Sequence, residues 1–323
     1  MPPNQLTLLV IGDPAASFLK PLAALPSDVH VIVSKDRDKL RAAAPEADVI
    51  FNAEFFDGSF LAEILPIAKK LKWIHAISAG VERLAAIPEV RATHVPLTNA
   101  RGVFREPLGE WIVGMMIFFA YEFRRVMNSQ AAGKWEPFDH ENLYGRTLGI
   151  VGYGEIGRAA AERAHAFNMR ILATRRRVAP DDLAEKIYSP DQLHEMLPQC
   201  DFVAITAPLT PQTRHMIGAK EIALLKSTAV LINVGRGPII DQAALVDALQ
   251  HKKIRGAALD VFEVEPLPEG DPLWQLDNVY VSPHNADRTY TKRDSATEFF
   301  IENFKRFRGG QPLLNIVDKH AGY

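Results

Sequence analysis

A chain of 323 residues is longer than one hydrophobic core usually serves, so two domains are expected. Apolar residues at 47% and charged residues at 24% describe an ordinary globular protein, and a net charge of −2 argues against a nucleic-acid or general membrane surface. One cysteine, Cys200, rules out an internal disulfide and leaves no zinc-type spacing, so no metal is expected.

Before residue 100, apolar runs of strand length recur at 6–11, 29–33, 48–51, 73–77 and 94–97, with helix-length segments between them, as at 35–44 and 58–70. Alternating strands and helices imply a parallel sheet covered on both faces. The amino terminus lacks the basic start and long apolar run of a secretory signal. A helical pattern then runs over 106–127, with Pro107 fitting its first turn. Trp111, Ile112, Met115, Met116, Phe118, Phe119 and Phe123 cover nearly all its sides, which requires burial on most faces. Its apolar run, 111–121, is too short to cross a bilayer and is flanked by Glu110 and Glu122, so a cytoplasmic protein is expected.

The stretch 148–177 is the most informative. A short apolar strand runs into Gly152, Gly154 and Gly157, and a helical pattern and a second strand at 169–173 follow. This is the G-x-G-x-x-G dinucleotide fingerprint in its proper setting. Gly152 permits the tight turn, Gly154 lets a pyrophosphate approach, and Gly157 lets helix and strand pack closely. The second strand ends in Thr174, Arg175, Arg176 and Arg177, where NAD binding calls for an acid; the next carboxylate is Asp181. Guanidinium groups pair with phosphate rather than with a neutral hydroxyl, so the expected cofactor is NADP(H). The alternative is a solvated basic strand end.

Further strands are expected at 202–206, 229–234, 257–261 and 279–282, completing a second doubly wound domain, and a last helix at 289–307. Ligands of such sheets bind beyond the carboxyl ends of the strands, and Arg236, Glu265 and His284 all sit there. A histidine can protonate a carbonyl oxygen near neutrality, a carboxylate can orient it, and an arginine can polarise the carbonyl and hold a substrate carboxylate. Taken singly, His284 reads as an ordinary surface histidine, Arg236 as an ion-pair former and Glu265 as a solvated acid with Glu263 as its rival. Their joint placement favours chemistry.

Five segments carry a family likeness: GRTLGIVGYGEIG (145–157), TAPLTPQTRHMIG (206–218), LINVGRGPIIDQAALVDAL (231–249), ALDVFEVEPLP (258–268) and NVYVSPH (278–284). The chain resembles the D-isomer-specific 2-hydroxyacid dehydrogenases, in particular their glyoxylate/hydroxypyruvate reductase branch. The resemblance implies Arg236 as the substrate arginine, Glu265 as the partner acid and His284 as the proton donor. It places Ile156, Pro208, Val234 and Asp260 along the cofactor. Tyr153, Glu155, Ala207, Thr213 and Gly235 lie in the same segments and are expected there with Thr174, Arg175 and Arg176. Ser78, Ala79, Gly80 and Val81 match the loop whose N–H groups grip the substrate carboxylate. Arg101 is a candidate to reach the substrate or to form a structural ion pair. Trp135 is a candidate for an active site or for a packed surface tryptophan. After His284, the run Asn285-Ala286-Asp287-Arg288 departs from the small residues of many relatives.

The implied architecture is a flavodoxin-like substrate domain, 1–99 plus 288–323, and a Rossmann cofactor domain, 100–287, with a cleft between them. The helix near 106–127 would form much of a homodimer interface. The implied activity is reduction of a small 2-keto acid to a D-2-hydroxy acid, with NADPH preferred and NADH possible. Two alternatives remain open: an NAD-dependent dehydrogenase working oxidatively, and a dinucleotide-sensing binding protein like the corepressors of the same superfamily.

Overall fold

The computed structural model describes residues 5–54, 58–290 and 292–322. The chain divides into two compact units, 1–104 with 289–323, and 105–288.

The first unit holds strands β1 (Leu6–Ile11), β2 (Val29–Ser34), β3 (Val49–Asn52), β4 (Trp73–Ala76) and β5 (Leu97–Asn99) in one parallel sheet of order β2-β1-β3-β4-β5. That order is the flavodoxin-like one. Its connections carry the helices α1 (Arg37–Ala43), α2 (Phe60–Ile64), α3 (Glu82–Ala85) and α4 (Pro88–Ala92). β3 and β4 are buried along their whole length, as a sheet covered on both faces requires. The final helix, Lys292–Arg308, returns to this unit and stacks Phe300 on Phe51 with ring centres 4.3 Å apart. Asn315 and Val317 then continue the sheet edge, the Val317 N–H donating to the Leu97 carbonyl at 2.8 Å.

The second unit opens with α5 (Arg105–Ala120) and α6 (Phe123–Ala131). One helix is expected over 106–127; two are found, because Glu122 sits in the left-handed region at φ 50° and turns the chain. Leu108, Ile112, Met116 and Phe119 form the buried stripe of α5. Trp111, Met115 and Phe118 on its other side are half-buried.

The sheet elements follow: β6 (Thr147–Val151), α7 (Glu155–Ala166), β7 (Arg170–Thr174), β8 (Lys186–Tyr188), α8 (Leu193–Met196), β9 (Phe202–Ile205), α9 (Ala219–Ala223), β10 (Val230–Asn233), α10 (Gln242–Gln250), β11 (Gly256–Leu259) and β12 (Val279–Val281). The seven strands are parallel in the order β12-β11-β10-β9-β6-β7-β8. Strand order reverses between β6 and β9, the switch point where such sheets bind ligands. α5 packs on α7, and close approach demands Gly109: a Cβ there would come within 3.0 Å of Ala159.

Candidate active site in the second unit

The glycine turn lies at the switch point. Gly152 has φ 94°, and a Cβ on it would lie 2.5 Å from the Ala207 Cα, so only glycine fits. Gly157 is held by packing, since its Cβ would meet Ile150 at 2.8 Å. Gly154 is different: the nearest atom to a Cβ is the Gly152 carbonyl oxygen, 4.0 Å away. Nothing inside the protein demands glycine there. Gly154 is also the N-cap of α7 and supplies no side-chain cap. An open glycine face at an uncapped helix N-terminus, where N–H groups and the helix dipole favour anions, fits a pyrophosphate.

Thr174 closes the far side of this turn. Its carbonyl accepts from the N–H groups of Gly152 and Tyr153 at 3.2 and 2.8 Å, and its hydroxyl accepts from Gly152 at 3.2 Å. Arg175, Arg176 and Arg177 follow it and are all exposed. On the other flank Ala207 lies against Gly152, and a Cβ on Gly235 would come within 2.8 Å of the Ala207 carbonyl. Thr213 locks this loop, its hydroxyl donating to the Pro208 carbonyl at 2.8 Å. Val234 is buried, its N–H donating to the Ile205 carbonyl at 3.2 Å.

The three reactive side chains converge. His284 follows β12 with φ 51°, and its Nδ1 lies 2.8 Å from Glu265 Oε2. The Phe262 N–H donates to Glu265 Oε1 at 3.0 Å. Burial pushes the Glu265 carboxyl up. The hydrogen bond and charge of His284, the Phe262 N–H and the charge of Arg236 outweigh burial and hold it below the ordinary value. Arg236 is fixed by its surroundings: Nη1 donates to the Gly235 carbonyl at 2.7 Å, and Asn233 Nδ2 donates to the Arg236 carbonyl at 3.1 Å. Gly237 must be glycine, because a Cβ would lie 1.8 Å from the Phe262 carbonyl carbon.

Asp260, at the end of β11, braces the His284 loop. Its Oδ1 accepts from the Ser282 hydroxyl at 2.6 Å and from the Asn285 and Ala286 N–H groups at 2.9 and 3.1 Å. The run that departs from many relatives is therefore pinned by Asp260. Burial dominates its titration and raises its carboxyl above the ordinary value, against those hydrogen bonds and the charge of His284.

The family model for the NAD binding domain of D-isomer specific 2-hydroxyacid dehydrogenases matches residues 113–286. The chain belongs to the D-isomer-specific 2-hydroxyacid dehydrogenases. It is an oxidoreductase of that family, on its glyoxylate/hydroxypyruvate reductase-like side. A glyoxylate reductase of Korarchaeum cryptofilum is 37% identical over 272 residues, covering 80% of each chain. Glyoxylate/hydroxypyruvate reductase B of Yersinia pestis is 34% identical over 91% of this chain and 95% of its own. In structure the dehydrogenase resembles the NADPH-dependent glyoxylate/hydroxypyruvate reductase of Sinorhizobium meliloti, solved with NADP and sulfate. That match has a TM-score of 0.87 and 25% identity over 98% of this chain and 100% of that one.

The remaining sequence candidates sit as follows. Ser78, Ala79 and Gly80 form a half-buried turn after β4 in the first unit, where the Ser78 hydroxyl donates to the Gly80 carbonyl and Asn99 Nδ2 donates to the Ala79 carbonyl; Val81 is buried. Among the described residues Arg101 forms no acid pair: its Nη2 meets Asn315 Oδ1 at 3.4 Å, and Asn315 Nδ2 returns a bond to its carbonyl at 2.7 Å. Trp135 is 94% exposed. Cys200 is buried, and burial pushes its thiol up to about 12, so it is inert at neutral pH.

Of the two rival glutamates, Glu265 is the one that lies against His284. Glu263 takes its own histidine, His215, at 2.5 Å. No local spacing in the sequence signals that pair, whose members are 48 positions apart. A groove of about 1020 Å³ runs along α6, lined among others by Arg125, Asn128, His140 and Arg255. Arg236, Glu265 and His284 do not border it.

Proposed function

We propose that this dehydrogenase reduces small 2-keto acids of the glyoxylate or hydroxypyruvate type, with NADPH preferred over NADH. The observation that carries the reading is the 2.8 Å contact between His284 and Glu265 beside Arg236, in the same unit as an uncapped glycine turn followed by three exposed arginines. The relatives named as glyoxylate and hydroxypyruvate reductases support the substrate class.

When bound, a reduced nicotinamide supplies hydride to the carbonyl carbon. The protein supplies the rest. Arg236 pairs with the substrate carboxylate and polarises the carbonyl, a charge-assisted contact that strengthens as the oxygen becomes anionic. His284 uses Nδ1 to hold Glu265, so Nε2 is the nitrogen that gives its proton to that oxygen. Glu265 stays ionised and stabilises the charged imidazole. Asp260 holds the His284 loop in register. The first unit, which carries the 78–81 turn, is the substrate domain in this reading. The half-buried apolar residues of α5 and the exposed Phe123, Val126 and Met127 of α6 support this face as the interface of a homodimer. The assignment is tested by following NADPH and NADH oxidation with a panel of 2-keto acids. Turnover of glyoxylate or hydroxypyruvate, faster with NADPH, is expected; no turnover on any of them overturns the proposal.

A further inference from the structure

The first carboxylate after the arginine run is Asp181, and it is fully engaged. Arg158 Nη1 donates to both of its oxygens, at 3.1 and 3.0 Å. The Tyr153 hydroxyl donates to Oδ1 at 3.0 Å, as does the Leu183 N–H at 3.1 Å. Only 14% of the Asp181 side chain is exposed. Arg158 stands in the opening turns of α7, its N–H bonded to the Gly154 carbonyl at 2.8 Å. Tyr153 belongs to the glycine turn and bonds Thr174 through its own N–H. The segment 174–181, with Arg175, Arg176 and Arg177 on it, is thus tied to the dinucleotide turn at both ends: Thr174 through the Tyr153 backbone, Asp181 through the Tyr153 ring and Arg158.

The consequence is electrostatic. In this fold an acid just beyond the second strand selects ribose hydroxyls and repels a 2′-phosphate. Asp181 has that chemistry and lies at the far end of the arginine segment. We propose that Arg158 is a specificity-determining residue, which neutralises Asp181 and keeps its oxygens occupied so that this carboxylate does not offset the positive charge that the arginine segment presents to a 2′-phosphate. This deepens the NADPH-preferring reading above and rests on it. Asp182 at 3.5 Å and Glu162 at 3.6 Å also face Arg158, while Glu162 is shared with Arg105 at 2.7 Å. Burial raises the Asp181 carboxyl, but the Leu183 N–H, Tyr153 and Arg158 outweigh it and hold it below the ordinary value.

The test is calorimetric titration of NADPH and NADH into the wild-type protein, Arg158→Gln and Asp181→Asn, at low ionic strength, where such charges are least screened. Arg158→Gln should weaken NADPH by about three- to tenfold and leave NADH unchanged or tighter. Asp181→Asn keeps an oxygen acceptor for Tyr153 and leaves Arg158 in excess; it should tighten NADPH about threefold. Opposite signs mark a charge effect, whereas a purely structural brace would weaken NADPH in both variants. Should Arg158→Gln not fold, by circular dichroism, Asp181→Asn decides alone: tighter NADPH supports the proposal, and equal or weaker NADPH overturns it. Equal wild-type affinity for the two cofactors overturns the NADPH reading and this inference together. A wild-type preference for NADPH, with both variants shifting the same way or not at all, overturns this inference alone.

Discussion

At the level of single residues, the proposed chemistry rests on His284 and Glu265, and Asp260 carries the cost. His284→Ala should lower kcat by about 10²–10⁴, the usual range for general-acid help, while NADPH binding by titration stays near wild type; near-normal kcat removes His284 from the reaction. Glu265 has its carboxyl held below the ordinary value, so it contributes stability above that value and loses it as pH falls through the lowered one. Thermal melts should therefore show wild type above Glu265→Gln at pH 7, with the gap closing in acid. Asp260 has the opposite sign. Its raised carboxyl means that ionisation opposes folding, so its favourable contribution lies in acid and fades as pH rises through the raised value. Asp260→Asn keeps an acceptor for Ser282 and should raise Tm at pH 7 and leave it unchanged at pH 3. A loss at pH 7 would contradict the buried-charge account. Arg236, Glu265 and His284 were legible as a group because each follows a strand of one parallel sheet. Which glutamate pairs with which histidine was not, because the choice depends on how the 206–218 loop brings His215 to Glu263.

At the level of elements, glycines at the loops separate packing from binding. At Gly237 a Cβ would strike the Phe262 backbone at 1.8 Å, and backbone cannot step aside. Gly237→Ala should cost more than about 2 kcal/mol, read as a large fall in Tm. At Gly154 the same methyl meets no protein atom closer than 4.0 Å. Gly154→Ala should melt like wild type yet bind NADPH at least about tenfold more weakly, since the methyl occupies the space of the approaching phosphate. A Tm loss at Gly154 without a binding loss would mean that the position serves the fold. The central strands showed themselves in the sequence as apolar runs, because a strand covered on both faces leaves no polar alternation. β8 did not: its three residues form a sheet edge, with Lys186 exposed and Ile187 half-buried. The break between α5 and α6 was equally hidden, since Glu122 adopts the left-handed conformation without a glycine or proline to announce it.

At the level of the whole molecule, the alternation of strands and helices makes both sheets parallel, and the glycine fingerprint marks which unit holds the dinucleotide. What alternation cannot show is what covers α5 and α6. An apolar side that its own unit only half covers asks for another surface. α6 exposes 42% of Phe123, 45% of Val126 and 60% of Met127 along one stretch, beside the half-buried Trp111, Met115 and Phe118 of α5. Exposed apolar side chains in such a row are costly in water, and the proposed homodimer would bury them by symmetry. Sedimentation should therefore give about twice the 35.9 kDa chain mass at micromolar concentration. Phe123→Asp combined with Met127→Asp places two charges in the apolar row while leaving the unit's own core untouched, because both side chains are exposed. The double variant should sediment as a monomer and keep the far-ultraviolet dichroism of the wild type. A wild-type monomer across that concentration range, or a double variant that still pairs, would move the interface elsewhere or remove it.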